Sequence, residues 1–147
     1  MKVVEAMTRD VTLSDANDTV TSAAKKMAEE DVGFLPVEES DRLVGMITDR
    51  DIVLRCVAKG KESDARVRDA MTADVRYCFE DDDLESVMEN MAEQQVRRMP
   101  VMSRQKRLIG ILSLADAARL YSPDIVGVAF SGVVMPGGRH AGNAARA

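Results

Sequence analysis

The sequence predicts an α+β fold of two related repeats, each with the element order β-α-β-β-α, packed together through their sheets. Residues 3–37 align with residues 67–101 at a constant offset of 64 positions, and 14 of these 35 pairs are identical. Unrelated sequences of this composition would be identical at roughly one aligned position in fifteen. Because 147 residues make one ordinary domain, the repeats share a core, and a closed pair of repeats offers a pseudo-twofold cleft for a ligand.

The first half of each repeat predicts a short strand followed by a helix. An Ala-Met-Thr segment leads into a strand at Val11 or Val75, and Asp18 and Asp82 precede the helices as N-caps. Apolar residues then recur at the i, i+3, i+4, i+7 spacing of one helical face. These residues are Val20, Ala23, Ala24 and Met27 in the first copy and Leu84, Val87, Met88 and Met91 in the second.

The second half of each repeat predicts two strands and another helix. In the first copy, a Ser-Asp turn separates residues 33–37 from the nearly all-apolar residues 43–47. Residues 108–112 match the later strand in the second copy. Thr48 and Ser113 end these later strands and begin the second helices.

The repeats divide the chain into three segments. Residues 1–62 form the first repeat, residues 63–121 the second, and residues 122–147 a C-terminal extension. Within the extension, residues 125–135 are apolar but interrupted by glycine, which suits either padding of the core or a subunit interface. Residues 136–147 are rich in Gly, Ala and Arg without a period, so we expect disorder there.

Composition and charge exclude several classes of function. With 20 basic and 25 acidic residues the net charge is −5, which argues against a broad nucleic-acid or membrane surface. Long apolar stretches and secretion signals are absent from the sequence, so we expect a cytoplasmic protein. Cys56 and Cys78 lack CxxC spacing and are expected to be buried or half-buried thiols of a reducing compartment.

The sequence offers no set of residues that could carry out catalysis. His140 is the single histidine, and neither a nucleophile–base pair nor a metal-binding set can be built around it. We therefore expect no enzymatic activity, no metal and no catalytic cofactor.

One motif, Gly-x-x-Thr/Ser-x-x-Asp, closes the later strand of both copies. A hydroxyl followed three residues later by an acid is typical of a capping box, which is a purely structural role. The same residues suit a nucleotide, because free amides at a helix start attract a phosphate and a carboxylate one turn later accepts both ribose hydroxyls. The two copies of the motif are Gly45, Thr48 and Asp51, and Gly110, Ser113 and Asp116.

Arginines distinguish the two copies. Arg97 and Arg98 stand where the first copy has Gly and Phe, and the counterpart of Arg50 is an alanine. Each arginine either binds a phosphate as a charged fork or lies in solvent, and the residues alone leave both roles open.

The repeated motifs together resemble a known family. The Ala-Met-Thr lead-in, the Val-x-x-x-Pro-Val of residues 32–37 and 96–101, and the Gly-x-x-Thr/Ser-x-x-Asp motif look like a tandem cystathionine-β-synthase (CBS) domain pair, or Bateman module. The resemblance covers residues 3 to about 120. It implies a stand-alone bacterial-type signalling protein that forms disc-like homodimers. Two clefts per pair would bind AMP, ADP, ATP, NAD or S-adenosylmethionine.

The resemblance also assigns roles to individual residues. The ribose hydroxyls are assigned to Asp51 and Asp116, and the phosphates to Thr48, Ser113, Arg97 and Arg98. Arg50 is a further phosphate candidate on its own chemistry, as a charged fork within the first motif. Adenine would be framed, largely through main-chain contacts, by Thr12, Phe34, Leu35, Pro36, Tyr77, Met99 and Pro100.

Three functions compete at this point. The leading one is a non-catalytic regulatory module that binds an adenosine nucleotide and signals to an unidentified protein partner, without nucleic acid or membrane. The second is a constitutive dimerisation scaffold in which the clefts are vestigial and the motifs serve as caps. The third is a nucleic-acid binder, which lacks interleaved aromatic residues and would use Arg97, Arg98, Arg104, Lys106 and Arg107.

Overall fold

The computed structural model describes residues 1–120 and 123–134. This part of the chain forms two compact units. The first-repeat unit is Val11–Val75, and the second-repeat unit joins Met1–Asp10 to the described residues from Arg76 onward. Each unit combines helices with one three-stranded sheet, which confirms the α+β class.

The first-repeat unit has a sheet in the order β1, β2, β3. These strands are β1 (Ser14–Asp15), β2 (Phe34–Glu39) and β3 (Arg42–Thr48). β1 runs parallel to β2, whereas β2 and β3 form an antiparallel hairpin in which Phe34 lies opposite Thr48. Both residues of the hairpin turn, Ser40 and Asp41, have positive φ angles, as a two-residue turn between twisted strands requires.

Three helices cover this first sheet. They are α2 (Val20–Glu30), α3 (Asp49–Ile52), which continues as a π-helix over Val53–Val57, and α4 (Val67–Ala70). Val20, Ala23 and Met27 of α2 are buried, whereas Ala24, predicted on the same face, is exposed. The core of the unit also contains Leu35, Val37, Ile47, Cys56, Val67 and Ala70.

The second-repeat unit repeats this arrangement. Its sheet has the order β4 (Cys78–Phe79), β5 (Arg98–Met102), β6 (Leu108–Ser113). β4 is parallel to β5 and β5 is antiparallel to β6, with Arg98 opposite Ser113. Its helices are α1 (Val3–Ala6), α5 (Leu84–Gln94), α6 (Leu114–Leu120) and α7 (Pro123–Val133).

The lead-in segments fix the position of the motif glycines. The Met46 amide donates to the Thr72 carbonyl oxygen at 2.9 Å, and the Met46 carbonyl oxygen accepts from the Thr72 amide at 2.8 Å. Thr8 and Ile111 exchange the same pair of hydrogen bonds. A Cβ atom at Gly45 would lie 2.8 Å from the Thr72 carbonyl oxygen. In each compact unit, the lead-in therefore comes from the repeat that does not supply the sheet.

Two local predictions are wrong by one to three residues. The short strands begin at Ser14 and Cys78 rather than at Val11 and Val75, because Ser14 and Cys78 are the buried residues that pair with β2 and β5. Thr19 caps α2 by accepting from the Ser22 amide, and Asp83 caps α5, so Asp18 and Asp82 are not the N-caps.

The apolar extension forms helix α7, which packs on α5. Val133 is buried, and a Cβ atom at Gly132 would lie 2.9 Å from the Ala92 Cβ. Gln95 Nε2 also donates to the Gly132 carbonyl oxygen at 3.1 Å. The sequence left two roles open for the extension, padding of the core or a subunit interface. This end of α7 takes the first role, because it packs into the core of its own unit. The predicted disorder over residues 136–147 lies outside the described residues.

None of the helices found within residues 1–120 and 123–134 has the length and apolar character needed to cross a membrane.

Candidate functional site

The first-repeat motif folds as a capping box. Thr48 Oγ1 accepts a hydrogen bond from the Asp51 amide at 3.0 Å, and the Thr48 amide donates to Asp51 Oδ2 at 3.0 Å. The other carboxylate oxygen, Oδ1, lies 3.8 Å from Arg55 Nη1. The structural role that the spacing predicts is confirmed, and one oxygen of Asp51 is committed to the main chain.

Three amides at the start of α3 are occupied within the chain. The Asp49 amide donates to the Gly33 carbonyl oxygen at 2.9 Å, and the Arg50 amide donates to Asp49 Oδ1 at 2.8 Å. Thr48 takes the third amide, that of Asp51. The expectation of free amides for a phosphate is therefore wrong here, because the capping hydroxyl and a neighbouring acid satisfy these donors.

The second-repeat motif also folds as a capping box, with an additional partner. The Asp116 amide donates to Ser113 Oγ at 3.0 Å, and the Ser113 amide donates to Asp116 Oδ2 at 3.3 Å. Thr8 Oγ1 donates to the same Oδ2 at 3.2 Å, and Arg119 Nη2 donates to Oδ1 at 3.0 Å. The Asp116 side chain is 13% exposed and that of Arg119 is 74% exposed. The nearly buried carboxylate thus has two partners that are themselves exposed, Thr8 on Oδ2 and Arg119 on Oδ1.

Three of the predicted phosphate-binding residues line one cavity of the second-repeat unit. Arg97, Arg98 and Ser113 stand where β5 begins and β6 ends. The cavity has a volume of about 540 Å³, and mostly apolar residues of α6 and α7 complete its wall. These wall residues are Leu114, Ala115, Ala118, Pro123, Gly127 and Phe130. The cavity therefore combines a cationic side with an apolar body.

Phe130 holds one of the two arginines. The Arg97 guanidinium carbon lies 6.0 Å from the centroid of the Phe130 ring, at the outer limit of a cation–π contact. Both residues are exposed. Arg97 therefore stays at the cavity wall through a weak contact that an anion can replace.

The residues assigned to adenine are divided between the cores and the surfaces of the two units. Leu35 is 1% exposed and Met99 is 2% exposed, and Pro36 and Pro100 are also buried. Their side chains pack within their own units, so contact with a ligand would run through their main chain.

The remaining first-repeat residues lie nearer the surface. Phe34 is half-buried on β2, Thr12 is half-buried just before β1, and Arg50 is exposed on α3. In the other unit, Tyr77 is exposed and contacts Phe79 edge to face, with ring centroids 5.7 Å apart.

The basic run proposed for nucleic acid is partly neutralised. Arg104 Nε lies 2.9 Å from Asp81 Oδ1, and its Nη2 lies 3.5 Å from Asp82 Oδ1. The Arg104 guanidinium also lies over the Phe79 ring, 4.1 Å from the centroid. Because two carboxylates and an aromatic ring engage Arg104, Asp81 and Asp82 of the acidic run at residues 80–83 serve to hold a neighbouring arginine.

The two cysteines are buried free thiols, as the sequence predicts. Burial first, and then the negative charge of Asp82, raise the pKa of Cys78 to about 12. The Cys78 thiol is therefore protonated at neutral pH and poorly nucleophilic.

Sequence reasoning missed the contribution of α7 to the cavity. Phe130 and Gly127 line it from a helix that follows the second repeat. A usable signal was present, since Pro123 suits the first turn of a helix and Phe130 is one of three phenylalanines in the chain.

Comparison with known proteins places these features in a family. The family model for the CBS domain matches residues 3–57 and again residues 67–123. Hypoxic response protein 1 of Mycobacterium tuberculosis is 38% identical over 117 residues, which cover 78% of this chain and 81% of that protein. A crystal structure of Hypoxic Response Protein I with two coordinated zinc ions is 36% identical, with a TM-score of 0.75, covering 83% of this chain and all of that one.

Two further solved structures contain adenosine compounds. The CBS domain pair of protein MJ0100, in complex with 5-methylthioadenosine and S-adenosyl-L-methionine, is 26% identical with a TM-score of 0.72, over 82% of this chain and 94% of that chain. CBSX2 in complex with AMP is also 26% identical, with a TM-score of 0.69, over 80% of this chain and 93% of that chain.

Hypoxic Response Protein I was solved with two coordinated zinc ions, and the described part of this chain shows no counterpart of such a site. Among the residues that the structure describes, no three His, Cys, Asp or Glu side chains form a group able to hold a metal ion. The matched motifs, the two similar sheets and the match of the family model to both repeats lead to one conclusion. This chain belongs to the CBS domain family and contains a tandem pair of CBS domains.

Proposed function

We propose that this chain is a non-catalytic regulatory module that binds an adenosine nucleotide and signals its presence to a partner protein. The observation that carries the proposal is the cavity at which Arg97, Arg98 and Ser113 converge. Membership of the CBS domain family supports a regulatory role, and the relatives solved with AMP and with S-adenosyl-L-methionine support an adenosine compound as the ligand.

The phosphate group is assigned to the cationic side of the cavity. Arg97 and Arg98 offer planar guanidinium forks that match the oxygens of a phosphate. Ser113 accepts the Asp116 amide in its capping role and still has its O–H to donate, since a hydroxyl is both donor and acceptor. Capping and phosphate binding are therefore compatible at Ser113, and the same argument holds for Thr48.

The ribose is assigned to the second oxygen of the motif carboxylate. Asp116 uses Oδ2 for the Ser113 amide and the Thr8 hydroxyl, whereas its Oδ1 pairs with the exposed Arg119. An exposed ion pair contributes only about 0–1 kcal/mol, so the hydroxyls of a ribose can take the place of Arg119 at little cost.

Signalling requires that the ligand bind two arrangements of the protein with different affinity. We propose that the protein acts as a cytoplasmic homodimer and that the ligand changes the contact of this dimer with another protein. The net charge of −5 supports a protein partner over a nucleic acid or an anionic membrane.

A thermal-shift titration of the full chain tests the proposal. AMP, ADP, ATP, NAD and S-adenosylmethionine are each added up to millimolar concentration. Adenosine is the control for the phosphate, which S-adenosylmethionine also lacks. A ligand at 100 times its Kd stabilises the native state by about 2.7 kcal/mol, which raises the melting temperature by several degrees. We expect at least one phosphate-containing compound to do so, and an unchanged melting temperature with all five would overturn the proposal.

A constitutive dimerisation scaffold is the second candidate. The capping boxes favour it, because their hydrogen bonds are complete without a ligand. Both motif acids already satisfy main-chain amides, and the amides at the start of α3 are occupied without a ligand. A scaffold predicts a dimer in analytical ultracentrifugation and the same melting temperature with and without every compound of the panel. A ligand-dependent shift removes this candidate.

A further inference from the structure

Helix α7 supplies one wall of the cavity in the second-repeat unit, although it lies almost entirely beyond the family match. That match ends at residue 123, and α7 runs from Pro123 to Val133. Gly127 and Phe130 of this helix line the cavity together with the arginines and the alanines of α6. The shape of this cavity is therefore a property of this chain rather than of the matched family segment.

The described residues that line the cavity are apolar apart from the two arginines and one hydroxyl. Ala115 and Ala118 of α6 and Gly127 of α7 are small, so they leave space beside the Phe130 ring. A Cβ atom built on Gly127 would meet no atom within 4 Å. Space of this kind, next to an exposed aromatic face, fits a flat apolar group.

We infer that α7 makes this cavity a site for an aromatic phosphate, with the phosphate on Arg97, Arg98 and Ser113 and the aromatic ring against Phe130 above Gly127. The inference deepens the proposed function and rests on it for one point only, namely that the aromatic ring is adenine. It departs from that proposal at the ribose, because Asp116 is not among the described residues that line this cavity. The Arg97 guanidinium leaves its contact with Phe130 to bind the phosphate, which frees the ring face for the ligand.

Charge and burial explain why both halves of such a ligand are needed. A bare phosphate would meet two exposed guanidinium groups that water and salt also reach, so its binding is weak. An aromatic group without charge would contact the apolar body alone and gain nothing from the cationic side. Joined together, the two groups contact both the cationic side and the apolar body of the cavity.

The test uses calorimetric titration of the full chain with three probes. AMP carries adenine and phosphate, ribose 5-phosphate lacks the ring, and 1-naphthyl phosphate has an aromatic ring without a nucleoside. We expect AMP and 1-naphthyl phosphate to bind at least about tenfold more tightly than ribose 5-phosphate, which is the range of stacking on one aromatic side chain.

Two substitutions at one position separate cavity filling from helix stability. Gly127→Ala and Gly127→Leu both replace a helical glycine, so both raise the intrinsic stability of α7. Only Gly127→Leu fills the space beside Phe130. We expect Gly127→Leu to weaken AMP and 1-naphthyl phosphate about tenfold, Gly127→Ala to weaken them much less, and ribose 5-phosphate to be unaffected by either. Melting curves check that both variants fold.

The outcomes distinguish this inference from the proposed function. If AMP binds and Gly127→Leu leaves its Kd unchanged, nucleotide binding stands and the role of α7 is overturned. If 1-naphthyl phosphate binds in a manner sensitive to Gly127→Leu and no adenosine compound binds, the aromatic-phosphate site stands and the proposed nucleotide function is overturned. If neither AMP nor 1-naphthyl phosphate binds the wild-type protein, the inference is overturned directly.

Discussion

A Cβ atom at Gly110 would lie only 2.7 Å from the carbonyl oxygen of Thr8, a residue 102 positions earlier in the chain. Thr8 needs this close approach because its amide and carbonyl form a bridge with Ile111, at 2.8 and 3.0 Å. The motif glycine is thus explained by the lead-in segment that crosses the strand, independently of any ligand.

The first prediction concerns this crossing. Gly110→Ala forces the Thr8 carbonyl away from the strand and should destabilise the native state by about 1–3 kcal/mol, as overpacking typically does. Urea unfolding followed by circular dichroism measures the effect. Gly127→Ala is the control, because its added methyl group meets no atom within 4 Å. Equal stability of the Gly110→Ala variant and the wild type would contradict the explanation.

Removal of a cap hydroxyl is the second prediction. Thr48→Ala leaves the Asp51 amide without its acceptor, so the free energy of unfolding should fall by about 1 kcal/mol. Thr48→Ser keeps the oxygen and serves as the control, which should lose much less. The urea unfolding midpoints of the two variants measure this difference in stability. A Thr48→Ala variant as stable as Thr48→Ser would mean that the cap contributes nothing.

The third prediction concerns the arginines that pair with the acids of the two motifs, Arg55 with Asp51 and Arg119 with Asp116. Arg55 Nη1 lies 3.8 Å from Asp51 Oδ1 and also donates to the carbonyl oxygens of Ala70 and Met71, at 2.9 and 3.0 Å. Arg55→Met leaves these part-buried acceptors unsatisfied and should cost about 1–3 kcal/mol in urea unfolding. Arg119→Met is the matched control, because that arginine is 74% exposed, and we expect a loss of at most about 1 kcal/mol. Equal losses in both variants would contradict the asymmetry.

The fourth prediction concerns alkaline pH. The pKa of Cys78 is raised from 9.0 to about 12 by burial and by the charge of Asp82, so the native state holds this proton more tightly than the unfolded chain. The stabilisation is fully present below pH 9 and is lost as the pH rises from 9 towards 12. Cys78→Ala removes this dependence, so the stability difference between the wild type and the variant should shrink over that range. A difference that stays constant in urea titrations at pH 8, 9.5 and 10.5 would contradict the raised pKa.

The capping boxes of the site were predictable from the sequence, because their residues lie only a few positions apart in the chain. Ser113 and Asp116 lie three residues apart, so the capping box follows from the spacing alone. Thr8 and Asp116 are 108 residues apart, and no periodicity links a lead-in to the opposite repeat. The strands at residues 34–39 and 42–48 were predictable for the same local reason, as a turn separates two apolar runs.

Helix α7 shows why the cavity wall could not be predicted from the sequence. Gly127 and Gly132 each lower helix propensity by about 1 kcal/mol, so the segment reads as a broken apolar stretch. In the fold, the missing side chain at Gly132 allows close contact with Ala92 of α5, and this packing outweighs the propensity. The cavity wall that Phe130 forms depends on that tertiary contact, which has no sequence signature.

The most direct measurement of the central claim is an isothermal titration of AMP into the wild-type protein and into the double variant Arg97→Ala with Arg98→Ala. The exposed Arg107, which does not line the cavity, provides the control Arg107→Ala. If phosphate binding takes place at this cavity, AMP binds the wild type and Arg107→Ala alike, and the double variant loses at least about tenfold in affinity. The same Kd for all three proteins, or no heat of binding to the wild type, would contradict it.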